Sequence, residues 1–320
     1  MSPLYAQGLP AELRINGKLV VGAFEPQRCV LQASSAVIYT DEKSRIRSLY
    51  GVVVSEAGHI LTKASEIEGT QHLSLRVDDK LYTDIERLGV DDEWDVALLK
   101  VKSDELFTPV LLSQLEDGKM GRWVVSNGST TRSKRRARVG IVSAMSRAIN
   151  VPVVLGVEFD TEDEENLKIK KLTEQKGAAK AGLEVGDVLL TAAGVKLKQR
   201  PDLLKVLKLQ KPGDIIAIEL MRSDETLEFD VELMERGDDG EMPMDRNDQM
   251  GGGEEQLSKR RTGFARVIQH DTPLTKLSVG GPLLSLDGQC IGMNIARASR
   301  VATFAIPARE LGELIKRMLR

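Results

Sequence analysis

The feature that most restricts the fold of this 320-residue chain is a strand pattern that stops and later resumes. Short runs rich in β-branched residues recur at 30–39, 48–55, 59–63, 73–77, 80–88, 96–101, 122–127 and 137–145. Gly or acidic pairs such as Asp78-Asp79 and Asp91-Asp92 separate them. Many short strands with little helix predict a barrel or a sandwich. From 152 the pattern changes. The run Gly177-Ala178-Ala179-Lys180-Ala181-Gly182 reads as a short helix with its stop, and a second helix follows over 200–208. A Lys211-Pro212-Gly213-Asp214 turn then leads into strands at 215–222 and 226–233. This is an α+β unit of about a hundred residues, an ordinary domain size. Residues 237–255 hold five Gly and seven acids against one Arg, with no aromatic. Such a segment buries too little apolar surface to offset its ordering entropy, so it reads as a flexible linker. The strand pattern resumes at Gly263-Phe264-Ala265-Arg266-Val267 and ends in an amphipathic helix over 307–320, with Leu311, Leu314, Ile315 and Leu319 at helical spacing. The fold expected is mainly β with a second domain inserted into the first. Its segments are an extension (1–27), a first barrel part (28–150), the inserted domain (151–236), a linker (237–260) and a second barrel part (261–320).

Composition removes several classes of function. A net charge of −3 and an aromatic content of 4% argue against nucleic acid as a partner. No apolar run reaches the ~18–20 residues of a spanning helix. His59, His72 and His270 are scattered, no metal-ligand spacing occurs, and Gly251-Gly252-Gly253 does not open a helix, so neither a metal nor a cofactor is expected. Cys29 and Cys290 both fall in apolar, strand-like runs and read as buried small hydrophobes, with a disulfide between them left open. The basic run Arg132, Lys134, Arg135, Arg136, Arg138 reads as a solvated loop, with an acidic partner as the other possibility. The first seven residues lack a charged segment and an apolar core, so they do not form a complete signal peptide, though the small residues around Ala6 fit the tail of one.

Four segments carry a resemblance. Leu277-Ser278-Val279-Gly280-Gly281-Pro282-Leu283, followed by Ile291-Gly292-Met293-Asn294, is similar to the nucleophile turn GNSGGPL and the later IGIN of trypsin-fold serine proteases of the HtrA/DegP family. Gly51-Val52-Val53-Val54-Ser55 with Gly58-His59-Ile60-Leu61-Thr62 resembles that family's hairpin before its general base. Trp94-Asp95-Val96-Ala97-Leu98-Leu99-Lys100-Val101 resembles T-D-I-A-V-L-K-V, and Thr303-Phe304-Ala305-Ile306-Pro307 resembles GFAIP. The resemblance implies a trypsin-like double β-barrel and places the triad, in the order base, carboxylate, nucleophile, at Ser65, Asp95 and Val279.

That triad is degenerate. An isopropyl group cannot attack a carbonyl, and Ser65 has no imidazole to carry a proton at neutral pH. Leu277 stands where the family has Gly, which restricts the backbone that would aim an oxyanion-hole N–H. Ser278 is one residue out of register and His270 lies on the incoming strand, so neither supplies the missing group, and Asp95 reads as a retained hydrogen-bond acceptor.

Residues 152–235 resemble a PDZ domain of the HtrA type. Ala178-Ala179-Lys180-Ala181-Gly182-Leu183 with Val185-Gly186-Asp187-Val188 matches SPAAKAGL…GDVI, and Val154, Leu155, Gly156 and Val157 match the loop that holds a peptide's terminal carboxylate. Such a loop offers N–H groups while the peptide adds a strand to the sheet edge. Here the domain is inserted between Arg147 and the nucleophile turn, not appended after it. Three readings follow: a pseudoprotease that binds peptides or unfolded segments without cutting them, an active serine endopeptidase with an unrecognised nucleophile, and a scaffold that assembles as a homo-oligomer (a trimer by resemblance) or with an active homologue. The resemblance also implies an exported, periplasmic protein of quality control.

Overall fold

The computed structural model describes residues 10–14, 17–40, 47–114, 119–128, 136–160, 167–235 and 256–320. Most of the expected 237–260 linker, the first nine residues, and Arg132, Lys134 and Arg135 lie outside these residues. After a turn of 3-10 helix at Ala11–Leu13 come two helices, α1 (Lys18–Gly22) and α2 (Glu25–Ser34). Residues 30–34, expected as strand, are the end of α2. Pro26 pre-sets φ in the first turn, Leu31 is fully buried, and the Arg28 guanidinium pairs with Glu25 on the outer face. Cys29 is therefore exposed on a helix and not buried in a strand. Cys290 is buried, and both thiols are free.

Extended structure begins at residue 35, where α2 ends. Strands β1 (Ser35–Tyr39), β2 (Arg47–Val53), β3 (His59–Lys63), β4 (Ser74–Val77), β5 (Lys80–Tyr82), β6 (Ile85–Asp91) and β7 (Val96–Val101) form one antiparallel sheet in the order β5-β4-β1-β2-β3-β7-β6. Ile38, Leu49, Ile60, Leu75 and Leu99 are sealed in a core of this sheet. Strands β8 (Trp123–Asn127) and β9 (Ala137–Ile149) follow. The chain then builds a second compact unit, Asn150–Pro243, before returning to the first, which comprises Met1–Ile149 and Met244–Arg320.

The second unit contains β10 (Val153–Val154), β11 (Val157–Phe159), β12 (Ile169–Leu172), helix α3 (Gly177–Ala181), β13 (Val188–Ala192), β14 (Val195–Lys196), helix α4 (Arg200–Leu207), β15 (Ile215–Arg222), β16 (Glu225–Glu232) and β17 (Met234–Glu235). Gly182 ends α3 in the left-handed region at φ 92°, its N–H bonded to the Ala178 and Ala179 carbonyls. Ser223 and Asp224, both at positive φ, close β15 onto β16 as a two-residue hairpin of type I′ character. Arg222 grips the buried Asp187 carboxylate at 2.8 and 2.7 Å. Burial opposes the charged form of Asp187, but the bidentate guanidinium prevails and holds its pKa below the ordinary aspartate value.

On return, β18 (Phe264–His270), β19 (Pro282–Leu284), β20 (Cys290–Ser299) and β21 (Ala302–Pro307) join β8 and β9 in a closed barrel, ordered β18-β21-β20-β19-β8-β9. One apolar cluster takes a side chain from each of the barrel's six strands: Val124, Val142, Ile268, Leu283, Ile291 and Ala305. The last helix, α5 (Ala308–Met318), buries Leu311 and Leu314 as its spacing requires. A further core, including Leu61, Val96, Phe264, Met293 and Leu311, takes residues from the sheet, the barrel and α5, and fuses them into one body. The architecture is mainly β, as expected.

Candidate functional site

Asp95 lies in the turn leading into β7, in the left-handed region at φ 57°. Aspartate tolerates this conformation better than most residues. The turn is closed by the Ala64 N–H donating to the Asp95 carbonyl at 2.8 Å. This brings the expected pair together: Ser65 N–H donates to Oδ1 at 2.7 Å and Ser65 Oγ to Oδ2 at 2.9 Å. A third partner escaped the sequence reading. Lys63, fully buried at the end of β3, directs its ammonium onto Asp95 Oδ2 and onto the Arg260 carbonyl at 3.0 Å. Burial lowers the Lys63 pKa from the ordinary lysine value, with the Asp95 charge opposing that shift. The available signal was positional: Lys63 pairs with Val96 across β3 and β7, so it must lie beside Asp95. The carboxylate thus meets an ammonium, a hydroxyl and an amide, and no imidazole.

Val279 is placed by its backbone. Its carbonyl accepts the Tyr50 N–H at 2.9 Å, and the Tyr50 carbonyl accepts Thr62 Oγ1 at 2.8 Å, which ties the turn to β2 and β3 just ahead of Lys63. The Val279 side chain is fully buried, whereas Leu277 is 37% exposed on one turn of 3-10 helix and does not fill the site. Within that turn Ser278 N–H bonds to the Thr275 carbonyl at 2.8 Å, and Ser278 Oγ lies 3.3 Å from Thr275 Oγ1. Gly280 adopts φ 84°, and a Cβ there would strike the Tyr50 carbonyl. Only glycine fits.

His270 is equally committed. On β18, fully buried, its Nδ1 meets Thr272 Oγ1 and its Nε2 meets Asn294 Oδ1, each at 2.8 Å. Burial pushes its pKa down to about 4, against the Asn294 hydrogen bond and aided by the nearby Arg297 charge. Asn294 in turn accepts the Gly280 N–H on its carbonyl at 2.7 Å and donates Nδ2 to Ser126 Oγ at 2.6 Å and to the Gly281 carbonyl at 3.0 Å. His270 therefore braces the glycine turn through Asn294, a function its sequence position did not disclose.

In the second unit, the loop of Val154, Leu155, Gly156 and Val157 joins β10 to β11. Gly156 sits at φ 85°, with the Lys176 side chain packed where a Cβ would go. The Leu155 carbonyl accepts the Ala178 N–H and the Gly156 carbonyl accepts the Thr173 N–H, both at 2.9 Å. Trans peptides point N–H opposite to C=O, so the Gly156 N–H faces away from Ala178. Val157 stands opposite Leu172, and the neighbouring bond from Thr173 makes this a non-hydrogen-bonded pair. The Val157 N–H and C=O thus face the other edge of β11, which pairs with no other strand among the described residues. Val157 and Phe159 pack in the same cluster as Leu203, Val206 and Leu207 of α4.

Residues 153–233 match the PDZ domain family. A probable periplasmic serine endoprotease, DegP-like, of Halomonas elongata is 34% identical over 111 residues, covering 35% of this chain and 23% of that protein. Its namesake in Hahella chejuensis is 36% identical over 100 residues, or 31% of this chain and 21% of that protein. The chain thus aligns with under a quarter of the length of these curated relatives. Among solved structures, the serine endoprotease from Yersinia pestis covers 67% of this chain and 98% of its own at 16% identity and a TM-score of 0.45. No described helix is long and apolar enough to cross a membrane.

Proposed function

We propose that this chain, a PDZ-bearing homologue of DegP-like serine endoproteases, binds the C-terminal ends of peptides or unfolded segments without cleaving them. One observation carries the binding half: the outward-facing N–H and C=O of Val157, beside the Gly156 turn, on an unpaired strand edge whose side chains share an apolar cluster with α4. A peptide adding a strand there satisfies its main chain and places its terminal carboxylate against Val154, Leu155, Gly156 and Val157. The non-catalytic half is supported by the partners of the triad positions. Asp95 is taken up by Lys63 and Ser65, Val279 has no nucleophilic atom, and His270 and Ser278 are engaged elsewhere. The names of the relatives place them in the periplasm, and an exported role in protein quality control is the corresponding proposal here, with a homo-oligomer or an assembly with an active homologue as the expected state.

The test uses the full chain and a peptide selected from a C-terminal display library. Binding followed by fluorescence polarisation weakens at least about tenfold when the terminal carboxylate is amidated, because the charge-assisted bonds to the loop vanish. Equal affinity for both forms overturns carboxylate capture. Turnover of casein, or labelling of any serine by a fluorophosphonate, overturns the non-catalytic half.

A further inference from the structure

Residues 256–263, which lead back into the barrel, lie across all three stretches that carry the degenerate triad. At the nucleophile turn, the Gln256 carbonyl accepts the Lys276 N–H at 3.1 Å. At the Ser65 stretch, the Lys259 N–H reaches Glu66 Oε1 at 3.3 Å and the Arg260 carbonyl receives the buried Lys63 ammonium. At the Asp95 loop, the Arg260 guanidinium is caged by the carbonyls of Asp92 and of Glu93 (2.8 Å), and it also donates back to Thr262 and Gly263. Its Cζ stands 5.1 Å from the Phe264 ring centroid. Between these points Leu257 and Ser258 are buried, and Ser258 exchanges hydrogen bonds with the Arg297 backbone at 3.1 and 2.9 Å.

We infer that residues 256–263 are an in-cis occupant of the barrel site, a strap that fills the place where an external polypeptide would lie against Ser65, Asp95 and the Val279 turn. The contacts are those by which an extended peptide is held: main-chain carbonyls and amides at Gln256, Ser258, Lys259 and Arg260, one apolar anchor in Leu257, and one arginine in a carbonyl cage. Lys63 gives the arrangement its logic. The ammonium that neutralises Asp95 also binds the strap, so one buried residue joins the carboxylate to the segment that covers it. Any polypeptide engaging this site must first displace 256–263, which leaves the second unit as the open binding surface.

The strap is tested by thiol accessibility in the full chain. In a Cys29→Ser background, where Cys290 is buried, Ser65→Cys places a reporter beside Asp95. Its reaction with a charged thiol reagent is slow, and adding Leu257→Ala and Arg260→Ala accelerates it at least about tenfold at an unchanged far-ultraviolet circular dichroism spectrum. A reporter that reacts at the rate of a free thiol before the strap is altered, or that does not accelerate afterwards, overturns the inference. A measurement on the unaltered chain guards against variants that fail to fold. Native hydrogen exchange shows the Ser258 and Lys259 amides protected, whereas exchange there at the rate of an unstructured peptide overturns the strap.

Discussion

At the scale of single residues, the buried pair of Lys63 with Asp95 decides what the barrel site is. Removing one partner of a buried ion pair strands the other charge, at a cost of about 3–5 kcal/mol, whereas replacing both by neutral groups of similar shape is tolerated. Lys63→Met therefore lowers stability by about 3 kcal/mol, toward the low end because Ser65 still donates twice to the carboxylate. Adding Asp95→Asn recovers at least about half of that loss in urea unfolding. If the double variant is as unstable as the sum of the single ones, the pair is not coupled as described. Gly280→Ala is a second residue-scale case. The left-handed φ and the Cβ collision with the Tyr50 carbonyl together cost about 2–4 kcal/mol, read as a drop in the midpoint of unfolding, and an unchanged midpoint would falsify the close approach. The glycine frame of this turn was legible in the sequence because only glycine supplies that geometry. Lys63 was not, because a lone lysine in a strand reads as exposed until its register beside Asp95 is known.

At the scale of elements, legibility followed how local the deciding forces are. The helix α5 and the strands β15 and β16 were readable, since apolar spacing and local residue preference fix them within a few residues. Helix α2 was misread from residue 30 because Cys29, Val30 and Leu31 suit a buried strand equally well, and Pro26 at its start tips the balance. Residues 256–260 were assigned to a flexible linker on the composition of their acidic neighbours. Leu257 and the caged Arg260 hold them instead, through contacts more than a hundred residues away in sequence. The loop before β11 gives a prediction through its geometry. Gly156→Ala puts a methyl against the Lys176 side chain at a positive φ, so the loop must shift. Affinity for a C-terminal peptide falls at least about tenfold while the barrel is untouched, and binding equal to the parent chain excludes this loop as the carboxylate site.

At the scale of the whole molecule, the two compact units differ in how they carry charge, and acid separates them. All three histidines of the chain lie in the first unit, and His270 is the buried one. Its folded pKa of about 4 lies below the ordinary 6.5, so the unfolded chain binds the extra proton. Stability from this group is complete above pH 6.5 and declines as pH falls, by about 3 kcal/mol at pH 4. His59 is displaced in the same direction, by burial first and by the Lys100 charge second. The second unit has no histidine, and its buried acid loses its contribution in the same direction but at lower pH. The Asp187 pKa is depressed despite burial because Arg222 holds the carboxylate, so its contribution is present above the ordinary 3.8 and is lost only below it. Calorimetry between pH 7 and pH 4.5 accordingly shows the transition of the first unit moving to lower temperature while that of the second stays fixed. His270→Gln, whose amide titrates at no accessible pH, flattens the first unit's dependence even if it lowers stability at neutral pH. Two transitions that fall together, or a slope the substitution leaves unchanged, remove His270 from its place as the acid-sensitive brace of the glycine turn.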